Sequence, residues 1–210
     1  VHTPLQAPQS LIEKYEKKLT TDSSQINAVY AAMVERVDYN VGRLVDTVQQ
    51  FGLREKTLII LVSDNGGLSH VTNNHPLRAG KGFLYEGGIR VPLIMNWPGQ
   101  IKGGSESDIP TITHDLYPTI TELVSGSEPG HDIEGTSLVP VLTNRGKIKQ
   151  RELYWYYPHY SPQAQQPSAA IRDGDYKLIR FYDPEKIELY NLADDLSERK
   201  NLAKVLTLKQ

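Results

Sequence analysis

Apolar residues recur at helical spacing along one long stretch of the chain: Ile26, Val29, Tyr30, Met33, Val37, Val41, Leu44, Val45 and Val48, with Glu35, Arg36, Asp38, Asn40 and Arg43 between them. Apolar positions three and four apart share one helix face, so this pattern predicts a long amphipathic helix, capped by Ser23 or Ser24 and ended by Gly52. A shorter amphipathic piece precedes it, from Ser10 to Leu19. The pattern then changes. From Thr57 the run TLIILV meets no polar residue until Ser63, and it stops at Asp64-Asn65-Gly66-Gly67. A run that short and that apolar reads as a strand buried on both faces, in a sheet covered by helices. Open sheets of this kind bind ligands outside the carboxyl ends of their strands, which puts Asp64 and Asn65 at a working edge.

A polar, glycine-rich loop spans 66–88, too long for a plain connection. VPLIMNW, Val91 to Trp97, predicts a second buried strand. Asp115 to Val124 predicts a helix with Pro118 in its first turn, where a missing N–H costs nothing, and Gly126 past its end. From Arg151 the period becomes two: ELYWYY, AAIRD, DYKLIRFY and IELYNL read as strands of a small antiparallel sheet, turned at Asp173-Gly174 and Asp183-Pro184. Ser197 is expected to cap a last helix reaching about Leu206, with Glu198 in its first turn. The expected fold class is therefore α/β, with a layered α/β portion over 1–145 and a small antiparallel β subdomain with a terminal helix over 146–210.

Composition narrows the function. At 210 residues the chain is long enough to bury a core. A net charge of -2 provides no basic field of the kind nucleic-acid binders use. No apolar run approaches a membrane span. The absence of cysteine removes disulfides, zinc–thiolate sites and a thiol nucleophile together. The opening VHTPLQAP reads as the middle of a longer protein, and a fragment of this kind, with apolar strand edges uncovered, is expected to be poorly soluble alone.

Asp64 and Asn65 offer adjacent hard oxygen ligands suited to calcium or magnesium, although Asp-Asn-Gly is equally an ordinary turn sequence. Lys81, in AGKGFLYEGG, is a cation flanked by glycines, so its ammonium can approach a phosphate or sulfate oxygen; a solvated loop lysine is the plain alternative. No Ser or Thr follows the Gly-Lys, so this is not a Walker A loop. Arg78 shares both readings. His2 can protonate a leaving group, since imidazole titrates near neutrality. Trp155, Tyr156, Tyr157, His159 and Tyr160 form an aromatic cluster able to stack on a sugar or aryl ring, though alternation makes Trp155 and Tyr157 packing residues first. No Gly-x-Ser-x-Gly elbow supports a serine hydrolase.

Taken in order, VHTPLQAP, LIILVSDNGG, PLRAGKGFLYEGGIRVPLIMNWPG, HDLYPTITELVSG, RDGDYKLIRFY and ELYNLADDLSERKNLA resemble the later part of the sulfatases of the alkaline-phosphatase-like superfamily, over nearly the whole chain. The resemblance implies that Asp64 and Asn65 are half of a calcium site, with magnesium less favoured, and that Lys81 neutralises the sulfate. It implies that His2 contacts the bridging oxygen, while Glu86 and Arg90 shape the loop. It also implies a formylglycine nucleophile made from a Cys/Ser-x-Pro-x-Arg motif, which is absent here and expected upstream of Val1. The implied substrate is a sulfated carbohydrate or aryl sulfate, held with help from Arg78 and His159. The implied partner is the N-terminal part of the same enzyme, and the implied compartment is periplasmic, extracellular or lysosomal. A phosphodiesterase or phosphonate monoester hydrolase of the same superfamily, and a non-catalytic or carbohydrate-binding piece, stand as alternatives.

Overall fold

The computed structural model describes residues 1–19, 27–130, 132–163 and 165–206. Ser23, Ser24 and Ile26 therefore lie outside the described residues. Helix α1 (Gln9–Glu16) packs on α2 (Ala28–Gln50), where Lys14 and Glu35 pair at 2.7 Å. Asn27 caps α2 by accepting the Tyr30 N–H at 2.9 Å. The chain leaves the helix through Gly52 at φ +66, a conformation that glycine adopts without a Cβ penalty. On α2, Ala31 and Ala32 are buried while Val34, Val37 and Leu44 stay exposed.

Strand β1 (Ile59–Val62) pairs antiparallel with β2 (Leu93–Asn96), Ile59 facing Asn96 and Val62 facing Leu93. Here the expectation of strands buried on both faces fails within the described residues. Among the described helices and strands β1 contacts only β2, and Leu61 and Ile94 are exposed. The short helix α3 (Glu86–Ile89) lies between these strands in sequence. Next comes α4 (Leu116–Ser125), closed by Gly126 at φ +80. Its entry is knotted by Asp115, whose buried carboxylate accepts the N–H groups of Ile112 and Thr136, both at 2.9 Å, and pairs with Arg151. That residue opens the approach to the small sheet. Between them lies α5 (Val139–Leu142).

The small sheet comprises β3 (Leu153–Tyr157), β4 (Ser168–Asp173), β5 (Tyr176–Tyr182) and β6 (Glu185–Asn191), antiparallel and in that order. The first tight turn is Gly174-Asp175, one residue later than the sequence indicates, because Asp173 still pairs with Tyr176. Asp183-Pro184 makes the second. Alternation buries Ala170, Ile179, Phe181 and Tyr190 on one face, and Leu84 and Tyr85 from the glycine-rich loop complete that core. Ile179 is fully excluded from water, a burial that contributes about 1.5–3 kcal/mol. The core thus joins residues from both sides of the expected division near 145.

The end of the chain departs from expectation. Within the described residues helix α6 runs Ala203–Leu206, so it starts later than expected and Ser197 is not its cap. The Ser197 hydroxyl donates instead to the Pro76 carbonyl at 2.6 Å, and Glu198, at φ +50, is buried against the sheet.

Candidate active site

The site begins at the tip of β1. The Ser63 hydroxyl donates to the Asn65 carbonyl at 2.8 Å, and the Asn65 amide donates to the Asp64 carboxylate at 2.7 Å. This turn leaves one carboxylate oxygen and one carboxamide oxygen without hydrogen bonds to other described residues. Beyond it, the 66–88 loop folds back so closely that glycine is required. The Gly66 N–H donates to the Gly88 carbonyl at 2.9 Å, and a Cβ on Gly66 would lie 1.7 Å from the Gly87 oxygen. A Cβ on Gly80 would lie 2.2 Å from the Gly67 oxygen. Gly66 thus packs backbone on backbone, while a Cβ on Gly80 would also meet the Asn74 and Ser69 side chains.

Asn74 holds this loop, a role its turn-like surroundings concealed. Its Oδ1 accepts the Gly67 N–H at 3.1 Å, and its Nδ2 donates to the Gly67 and Ala79 carbonyls at 2.8 and 3.0 Å. The Lys81 N–H adds a bond to the Gly67 carbonyl at 3.0 Å. The backbone of Lys81 is therefore tied to the segment just after Asp64 and Asn65. Its ammonium forms no hydrogen bond or ion pair with another described residue. Asp64, Asn65 and Lys81 line one cavity of about 1120 Å³, together with Trp155, Tyr156 and Gln163.

The remaining candidates lie elsewhere. His2 is exposed, with Nδ1 2.9 Å from the Thr3 carbonyl, and does not line this cavity. His159 is exposed and stacks edge-on against Tyr157 at 5.8 Å between ring centroids, outside the lining. For Arg78 the structure revises the expectation. Its Nη1 donates to the Tyr190 hydroxyl at 2.9 Å and to the Glu198 carbonyl at 2.7 Å, and the guanidinium lies 3.9 Å from the centre of the Tyr85 ring. It borders a separate cavity of about 690 Å³ beside Ser197 and Arg199. Arg78 therefore anchors the loop to the small sheet and does not line the Lys81 cavity.

Around Arg78 sits a network that composition did not announce. Tyr85 and Tyr190 both donate to Glu188 Oε2, at 2.7 and 2.9 Å. Burial, and then the bond to Glu188, pushes the Tyr85 hydroxyl far up and the Tyr190 hydroxyl up to about 12. Burial works against ionisation of Glu188, but the bonds from Tyr85, Lys186 and Tyr190 outweigh it and hold its carboxyl below the usual glutamate range. Nearby, the buried Lys177 ammonium pairs with Glu86 and Glu198, each at 2.9 Å. Burial raises the Glu198 carboxyl despite the Lys177 charge beside it.

Two hard oxygens at a strand tip fit a divalent cation only in part. Calcium takes six to eight oxygen ligands, and among the described residues no group of three or more His, Cys, Asp or Glu is placed to hold a metal. The remaining ligands would have to come from elsewhere.

Oxygen donors at the tip of β1 and a cation on the following loop thus line one cavity of an α/β chain, with a four-stranded sheet behind that loop. The crystal structure of Ps i-CgsB in complex with k-i-k-neocarrahexaose superimposes with a TM-score of 0.83 at 32% identity, covering 98% of this chain and 44% of that one. BT4656, solved with its substrate D-glucosamine-2-N,6-O-disulfate, superimposes with a TM-score of 0.74 at 34% identity, covering 87% of this chain and 37% of that one. The family model described as Sulfatase matches residues 1–127, and that for the C-terminal region of N-sulphoglucosamine sulphohydrolase matches 79–210. A sulfatase from Formosa agariphila is 37% identical across 96% of this chain. The chain belongs to the sulfatase family. It spans 40% of the length of the Formosa relative.

Proposed function

We infer that the protein is a sulfuric ester hydrolase acting on a sulfated carbohydrate, and that these 210 residues supply part of its active site. The observation that carries this reading is the shared cavity of Asp64, Asn65 and Lys81 in a chain of this family. The carbohydrate ligands of the two solved neighbours support the substrate class.

Lys81 is the electrostatic element. Its ammonium, without a partner among the described residues, is free to donate charge-assisted hydrogen bonds to sulfate oxygens as negative charge shifts during ester cleavage. Asp64 and Asn65 would provide two oxygen ligands to a divalent cation, calcium in preference to magnesium because it accepts a larger and less regular oxygen shell. When bound, the cation would supply further charge neutralisation at the sulfate, and a formylglycine would supply an oxygen nucleophile. No Cys/Ser-x-Pro-x-Arg sequence occurs in these residues. Asn74 and the glycines hold Lys81 in register with the β1 tip. No helix among the described residues is long and apolar enough to cross a membrane. The family implies work in the periplasm, outside the cell or in lysosomes.

The test is a substrate panel on the longest natural polypeptide carrying this chain, comparing sulfated mono- and oligosaccharides, 4-nitrophenyl sulfate, and the matching phosphate and phosphonate esters. Peptide mapping by mass spectrometry would search the same sample for formylglycine. Preference for sulfated sugars, with the modified residue present, supports the reading. Preference for phosphonate or phosphate diesters would replace it with the phosphoesterase alternative.

A further inference from the structure

The loop joining β3 to β4 lies against the backbone beside Lys81. Ser161 is buried, and its N–H donates to the Gln165 carbonyl at 2.9 Å, so the turn is internally braced. The Ser161 hydroxyl accepts the Gln163 N–H at 3.0 Å and donates to Gln163 Oε1 at 2.6 Å. The hydroxyl thus gives its one proton to the carboxamide oxygen. Nε2 is left on the side away from Ser161, with no hydrogen bond to a described residue, in a side chain that lines the Lys81 cavity. The neighbour of Lys81, Gly82 at φ +86, fixes how near this is. A Cβ there would lie 2.5 Å from Ser161 Oγ and 2.6 Å from Gln163 Oε1.

We propose that Gln163 is a specificity-determining residue whose Nε2 donates a hydrogen bond to a hydroxyl oxygen of the sugar, next to the sulfate ester held at Lys81. The proposal rests on the sulfatase reading. An uncharged amide braced by Ser161 discriminates a leaving group rich in hydroxyls from a flat aryl group, because the aryl group offers it no acceptor and leaves the donor unmet. The small sheet thereby contributes recognition as well as packing.

The experiment measures kcat/KM for wild type, Gln163→Ala and Gln163→Glu in the longest natural polypeptide carrying the chain. The substrates are 4-nitrophenyl sulfate and the sulfated sugar that wild type cleaves fastest. Gln163→Ala is expected to lose roughly three- to tenfold on the sugar, the usual size of one neutral hydrogen bond, while 4-nitrophenyl sulfate turnover stays unchanged. Gln163→Glu should lose more on the sugar, since a carboxylate neither donates nor tolerates a nearby sulfate. Should Gln163→Ala fail to fold, Gln163→Met keeps the length of the side chain and must give the same split. Equal losses on both substrates, or no loss on the sugar, overturn the proposal while leaving the sulfatase reading intact. A wild type that cleaves no sulfate ester overturns both.

Discussion

Lys177 on β5 and Glu86 at the start of α3 form a 2.9 Å ion pair with both side chains out of water, across 91 residues of sequence. Glu198 completes the group from the end of the chain, pairing with the same ammonium and accepting the Glu86 N–H at 2.6 Å. Two carboxylates therefore depend on one buried cation.

Replacing Lys177 with Met is expected to destabilise the protein by about 3–5 kcal/mol, because the buried Glu198 would lose its counter-charge and Glu86 would keep only the more distant Arg90, at 3.8 Å. The triple variant Lys177→Met, Glu86→Gln, Glu198→Gln should recover much of that loss. Chemical denaturation midpoints check both. A single variant as stable as wild type would show that the ion pair contributes little.

Lys81→Ala should behave in the opposite way. Its ammonium pairs with no other described residue, so the melting temperature should stay unchanged while kcat for sulfate ester cleavage falls by about two to three orders of magnitude. Undiminished sulfate release would remove Lys81 from the site.

Glycine substitutions separate close approach from mere flexibility. Gly66→Ala places a Cβ 1.7 Å from the Gly87 carbonyl oxygen and cannot be accommodated without moving the loop. Loss of soluble protein or of sulfatase activity is expected. Gly42→Ala, within α2 and with nothing within 4 Å of the new Cβ, should instead stabilise by about 0.5–1 kcal/mol. Thermal melting of the two variants gives the contrast.

The pH dependence of stability should report on Glu188. Its carboxyl lies below the ordinary glutamate range in the fold, facing Tyr85, Tyr190, Lys186 and Arg78. A lowered folded pKa contributes stability above the unfolded value, and that contribution is lost as pH falls through the folded one. Glu198 has the reverse sign, since its raised carboxyl contributes below the ordinary range and loses that contribution as pH climbs. The stability difference between wild type and Glu188→Gln should therefore be largest near neutrality and shrink below about pH 4. A constant difference across that range would mean that Glu188 is not held as the geometry indicates.

Much of the fold was legible because it follows local periodicity. The 3.6-residue pattern ending at Gly52 marks α2, and the two-residue alternation after Arg151 marks β3 to β6, since each needs only neighbours in sequence to specify which face is buried. The β1 tip was legible for the same reason: an apolar run ending at Asp64 has few other readings. Lys177 and Glu198 were hidden, because a charged residue in a strand or a loop normally faces water, and only packing between distant segments reverses that expectation. Asn74 was hidden by resembling any turn asparagine. The setting of Arg78 was hidden for a related reason: a cation beside Lys81 in sequence is turned toward the small sheet by Tyr85, Tyr190 and Glu198 in space.

The bond from the Glu86 N–H to Glu198 also sets an order of events during synthesis. The loop bearing Lys81 emerges from the ribosome 112 residues before the carboxylate that fastens it. At roughly 5–20 residues per second, Glu86 spends about 6–22 seconds as a nascent segment without that partner. Until Glu198 emerges, the nascent chain has an incompletely fastened cation loop.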